Sequence, residues 1–171
     1  GELDTAEVAP AKRKPKGSGG LRGLGATTSD NSILWPNGKL YWVWTWDTYN
    51  NVEARNAITA AHNYINQKTE IELVYGKGNG DYVSIEPLDG CWSSVGRKGG
   101  KQSMSIGEGC EHKGIVIHEM FHALGAWHEQ SSKDRDDFVK INYGNIEEGK
   151  EHNFAIKQST TSYGFDFDYG S

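Results

Sequence analysis

The chain has 171 residues, enough for one core of ordinary size and too few for two substantial domains. It is 36% hydrophobic and 24% charged with a formal net charge of -5; this is a soluble composition, and a mild acidic balance without an aromatic-and-basic stripe gives no reason to expect a nucleic-acid partner. No run of eighteen apolar residues occurs and the residues after Gly1 lack the apolar stretch of a signal peptide, so no membrane-spanning helix is expected and export would need a leader outside this sequence.

Residues Gly1 to about Asp30 read as a tail or processing remnant. They hold the basic cluster Lys12, Arg13, Lys14 and Lys16 and the glycines Gly17, Gly19, Gly20, Gly23 and Gly25. Apolar residues are too sparse there to pack, so disorder is the expectation, with order beginning near Ile33, Leu34 and Trp35. Pro36-Asn37-Gly38 predicts a turn, and Leu40 to Trp46, rich in aromatic and β-branched residues, predicts a strand. Asn50 followed by Glu53 fits a helix capping box. Apolar residues then recur at Ala54, Ala57, Ile58, Ala61 and Ile65, one buried helical face. Short strands are expected at Ile71 to Tyr75 and Tyr82 to Ile85, followed by a glycine-punctuated region of strands and loops. Within it Cys91 and Cys110 permit either one internal disulfide or two free thiols. A second helix is expected from Cys110 or Glu111 to about Leu124, burying Ile115, Ile117 or Val116, Phe121 and Leu124, with Gly125 placed to end it. The order strand, helix, strands, helix suggests a sheet backed by helices.

The chemistry concentrates in His118-Glu119-Met120-Phe121-His122-Ala123-Leu124-Gly125-Ala126-Trp127-His128. Residues four apart share a helical face, so His118 and His122 can aim two imidazoles at one ion. Glu119, one residue along, suits a base beside a metal-bound water better than a ligand. Gly125 can take positive φ at little cost and turn the backbone, so that His128 supplies a third vertex that a straight helix could not. Three neutral imidazoles leave a zinc position open for water, the mark of a catalytic rather than a closed structural site. The expectation is one catalytic Zn(2+) on His118, His122 and His128, with Glu119 as general base and then acid. His62, His112 and His152 have no comparable spacing and are not expected to be ligands.

The stretch His118 to Glu129 resembles the astacin branch of the metzincin zinc endopeptidases. The likeness extends over Cys91-Trp92-Ser93-Ser94-Val95-Gly96, Gly99-Gly100, Gly109-Cys110, Asp134-Arg135-Asp136, Val139-Lys140-Ile141-Asn142, Asn145-Ile146 and Asn153-Phe154. It begins near Ile33-Leu34-Trp35-Pro36 and runs to Ser171. What it implies is an α+β fold: a metzincin-like N-terminal lobe with a twisted mixed sheet and two long helices, the C-terminal lobe largely missing. It further implies a secreted endopeptidase, made as a zymogen, that holds a protein or peptide substrate extended in a cleft by backbone pairing to an edge strand. By the same resemblance His118, His122 and His128 bind zinc, Glu119 is catalytic and Cys91 pairs with Cys110. Residues 1–25 correspond to a propeptide remnant or linker and 26–171 to a partial peptidase domain. Ala26 falls where the mature amino terminus would contact Glu129.

Two departures from that pattern stand out. Glu70 occupies the place of a cysteine of a second disulfide, and Phe167-Asp168-Tyr169-Gly170-Ser171 stops at the approach to the methionine turn, before its methionine and a zinc-associated tyrosine. The sequence is therefore expected to be a partial record of a zinc metalloendopeptidase that hydrolyses internal peptide bonds. A catalytically silent or impaired protein-binding relative is the alternative, although all four motif residues are present. A structural zinc domain would need a fourth protein ligand, for which the sequence offers no candidate.

Overall fold

Nine strands and three α-helices are found among the residues described by the computed structural model, 7–8 and 26–171. The strands are β1 (Glu7–Val8), β2 (Thr27–Thr28), β3 (Lys39–Trp44), β4 (Glu72–Tyr75), β5 (Tyr82–Glu86), β6 (Cys91–Ser93), β7 (Lys101–Ile106), β8 (Val139–Lys140) and β9 (Thr160–Thr161). The helices are α1 (Trp46–Asn50), α2 (Val52–Lys68) and α3 (Lys113–Leu124). They divide into two compact units, one of residues 30–126 and one in which 127–171 joins the described residues up to 29.

The first unit is built on a five-stranded sheet of order β4-β3-β5-β7-β6. β3 runs parallel to β4 and β5, and β5 parallel to β7. β6 closes one edge antiparallel to β7, with Trp92 opposite Ser105. This is the mixed sheet with few helices that the α+β expectation called for. Leu40, Trp42, Leu73, Val83, Ile85, Met104 and Ile106 from the strands form one core with α2 and α3. α2 buries Ala54, Ala57, Ile58, Ala61 and Ile65, the five positions that its periodicity marks. Each fully buried isoleucine there stabilises the fold by roughly 2 kcal/mol relative to leaving it in water.

Local chemistry shifts several boundaries. The strand expected to reach Trp46 stops at Trp44, because the Thr45 hydroxyl accepts from the Thr48 N–H and caps α1. α2 is capped by Asn51 rather than Asn50: its Oδ1 accepts from the Ala54 N–H at 3.1 Å. α3 starts at Lys113, later than expected, and buries Val116, Glu119, Met120 and Ala123, while Ile115, Ile117, Phe121 and Leu124 are only partly covered. Its sequence is apolar nearly all the way round, so spacing alone could not select the buried face.

In the second unit β1 pairs antiparallel with β8 and β2 with β9. Order in this part of the chain thus starts before Ile33. The Ser29 N–H adds a bond to Ser159 O at 2.7 Å, and Thr28 is buried at 1% exposure. The remaining path is irregular and punctuated by short 3-10 turns, at Glu129–Ser131, Arg135–Asp137, Tyr143–Asn145 and Glu151–Phe154. The rest of the expected disordered tail falls outside the described residues.

Candidate metal centre

α3 is fixed at both ends. At its start, Cys110 is joined to Cys91 by a disulfide with the Cα atoms 5.7 Å apart, tying β6 to the turn before the helix. Gly125, at φ 107 and ψ 11, occupies the left-handed conformation that ends helices. Its N–H donates to His122 O and the next N–H, of Ala126, to Phe121 O, each at 2.9 Å. These two bonds form a Schellman closure, which satisfies carbonyls that the helix leaves free.

His118 and His122 stand one turn apart with ring centroids 4.5 Å apart and planes at 84°. The His122 Nδ1 lies 2.8 Å from Ala126 O. A carbonyl can only accept, so Nδ1 carries a proton; in the neutral ring that is the tautomer whose Nε2 lone pair a metal needs. Burial, then the neighbouring His122, pushes His118 toward the neutral form. His128 follows Gly125 by three residues in extended conformation, with the Gln130 side-chain amide 3.4 Å from its Nδ1. Along this stretch one ring nitrogen from each of His118, His122 and His128 lies within 4.8 Å of the other two. Such a group could hold a metal ion, whose ligands stand about 2 Å from it. Three half-buried imidazoles with no carboxylate among them suit zinc.

Glu119 is 5% exposed and its Oε2 is buried without a hydrogen-bond partner among the described residues. Burial alone raises its carboxyl to about 7. An orphaned carboxylate oxygen one residue from a candidate ligand has the reach and the vacancy to take a proton from a nearby donor. Ala26 and Glu129 are both buried in the second unit, at 2% and 5%. The Ala26 carbonyl accepts from the Trp127 N–H at 2.7 Å, and Trp127 precedes Glu129 by two residues.

Sequence reasoning missed residues whose part lies in side-chain hydrogen bonds that no spacing pattern announces. Arg135, 3% exposed, donates from Nη1 to Gln130 O and Phe154 O, from Nη2 to the Tyr143 hydroxyl and from Nε to Asp136. It organises the turns after His128, and only the Asp134-Arg135-Asp136 likeness hinted at it. Trp35, which donates to Ala123 O at the end of α3, was marked only as the start of order and of the family likeness, and Gln102, which holds Gly96 and Lys98, carried no signal.

Residues 27–171 match the family model described as Astacin, a peptidase family. Zinc metalloproteinase nas-13 of Caenorhabditis elegans is 47% identical over 122 residues, 69% of this chain and 27% of that protein. Meprin A subunit beta of Mus musculus is 45% identical over 112 residues, 65% of this chain and 16% of that one. The chain thus spans a minor part of the length of these relatives. Among solved structures, high choriolytic enzyme 1, a hatching enzyme zinc-protease from Oryzias latipes, superposes with a TM-score of 0.74 at 37% identity, covering 82% of this chain and 72% of that one.

Proposed function

The chain belongs to the astacin family of zinc metalloendopeptidases, and from that premise we propose that it hydrolyses internal peptide bonds of protein substrates, with His118, His122 and His128 as zinc ligands and Glu119 as the catalytic acid-base. The observation that carries the reading is the three-imidazole set next in sequence to a buried carboxylate with one oxygen unpartnered among the described residues. A bound Zn(2+) would supply acidity to water and polarise the scissile carbonyl. Glu119 accepts the proton of the attacking water at its carboxylate and returns it to the departing amine. His122 keeps its orientation through the Nδ1–H bond to Ala126 O. β6, an outer strand of the sheet, supports a substrate bound extended by main-chain pairing. The Cys91–Cys110 disulfide supports a protein that works outside the cell. The burial of Ala26 supports maturation by removal of residues 1–25, leaving 26–171 as the peptidase portion.

The test is the Glu119→Gln variant. It should hold zinc at the wild-type stoichiometry by elemental analysis and lose chelator-sensitive cleavage of an unfolded protein substrate by a factor of at least about 100. Undiminished cleavage by the variant, or a wild-type chain that retains no zinc, rejects the assignment.

A further inference from the structure

Two carbonyls of the last turn of α3 receive hydrogen bonds from elsewhere in the same unit. Trp35, 5% exposed, donates its indole Nε1–H to Ala123 O at 2.8 Å. The Gly96 N–H donates to His122 O at 2.9 Å. Gly96 is itself held by Gln102, a side chain only 6% exposed that uses both ends of its amide. Nε2 donates to Gly96 O at 3.0 Å and Oε1 accepts from the Lys98 N–H at 2.9 Å. Gly96 packs closely against Ile33: at φ +72 an added Cβ would sit 2.8 Å from Ile33 O. The Arg97 N–H locks the adjacent residue to the same Ile33 carbonyl at 2.7 Å.

These bonds matter because the end of α3 sets the direction of a ring. The His122 imidazole is aimed by Ala126 O, and Ala126 is placed by its own bond to Phe121 O. Helix ends fray when their carbonyls lack partners. Fraying here would move both the Cα of His122 and the acceptor that orients its ring. We propose that Trp35 and Gln102 are positioning residues for His122, holding the last turn of α3 in the one register that presents Nε2 to the metal. This rests on the zinc reading of His122 above.

The test compares Trp35→Phe, which removes the indole donor, and Gln102→Met, which removes both amide bonds at similar volume. Leu73→Ala is the control, a core change on β4 distant in the sheet order from β7 and β6. Zinc affinity is read by competition with a chelator, below the melting temperature of every variant. The tautomer of His122 is read in the metal-free chain from imidazole nitrogen shifts. Both positioning variants should bind zinc about tenfold or more weakly, the usual effect of removing a group that orients a ligand, and should show a mixed His122 tautomer. The control should lose melting temperature while keeping affinity and the Nδ1–H form. Wild-type affinity and tautomer in both positioning variants overturns the proposal, as does an equal loss of affinity in Leu73→Ala. Should Trp35→Phe fail to fold, Gln102→Met decides alone. A wild-type chain that binds no zinc would end the metal reading, and the tautomer measurement would still decide whether the two residues aim the ring.

Discussion

At Gly125 the backbone takes a φ of 107 that any Cβ would strain, and the direction of the chain toward His128 depends on it. Gly125→Ala should destabilise the protein by about 1–2 kcal/mol, the cost of a left-handed conformation for an L-residue, read as a lower urea midpoint with an unchanged slope. Its zinc affinity should fall too, because the third histidine follows the strained turn. His118, Glu119, His122, Gly125 and His128 were legible because their relations are local: one helical turn, one offset and one bend within eleven residues. Trp35 was not, since its acceptor Ala123 lies 88 positions away and nothing in a tryptophan near a proline announces such a bond. The disulfide stood between: composition left Cys91 and Cys110 open to pairing or freedom, and only the family likeness selected the bond that the structure contains.

Among the elements, β4 is an outer strand of the sheet whose exposed edge is covered by a side chain rather than by another strand. The Asn66 amide accepts from the Leu73 N–H at 2.7 Å and donates to Leu73 O at 3.1 Å, standing in for a neighbouring strand. Covering an edge in this way guards against pairing between molecules. Asn66→Ala should cost about 1–2 kcal/mol in thermal or urea unfolding and raise concentration-dependent association in sedimentation. Unchanged sedimentation would show that the edge is protected by other means. On the strand-and-loop side, the Gly100 N–H, and after it the Arg97 guanidinium, holds the Asp81 carboxyl below its ordinary 3.8. A depressed folded value stabilises at neutral pH and loses that contribution as pH falls from the ordinary value through the lowered one. Stability should therefore decline below pH about 4, and the gap between wild type and Asp81→Asn should narrow over the same range in urea titrations. The α2 face was readable because its five apolar positions alternate with polar ones. The α3 face was not, because isoleucine, valine, methionine and phenylalanine surround that helix.

Across the whole molecule, the loop closed by Cys91 and Cys110, 19 residues apart, carries β7 as well as the Gly96 turn. Reduction should lower stability by about 3 kcal/mol on the chain-entropy estimate for a loop of this size, seen as a drop in melting temperature under reductant. The sheet and its two long helices could be anticipated from element order, whereas the second unit could not. Its strands are two residues long and its turns are stabilised by partners such as Arg135, so neither period nor composition marks them. Beginning the chain at Asp30 removes β2 and the acceptor for Trp127. Hydrogen exchange should then accelerate at Thr161 and Trp127, while Thr160, whose N–H donates to Lys157 O, and the strands β5 and β7 keep their protection.

The β2–β9 pairing has a consequence for synthesis. Thr27 waits for Thr161, 134 positions later, before its hydroxyl can donate to that carbonyl. At ordinary ribosomal speeds the delay is on the order of ten seconds, long enough for residues 30–126 to collapse first. During that interval Thr27 and Thr28 are an unclaimed strand on the nascent polypeptide, available to whatever extended segment reaches them before their own partner emerges.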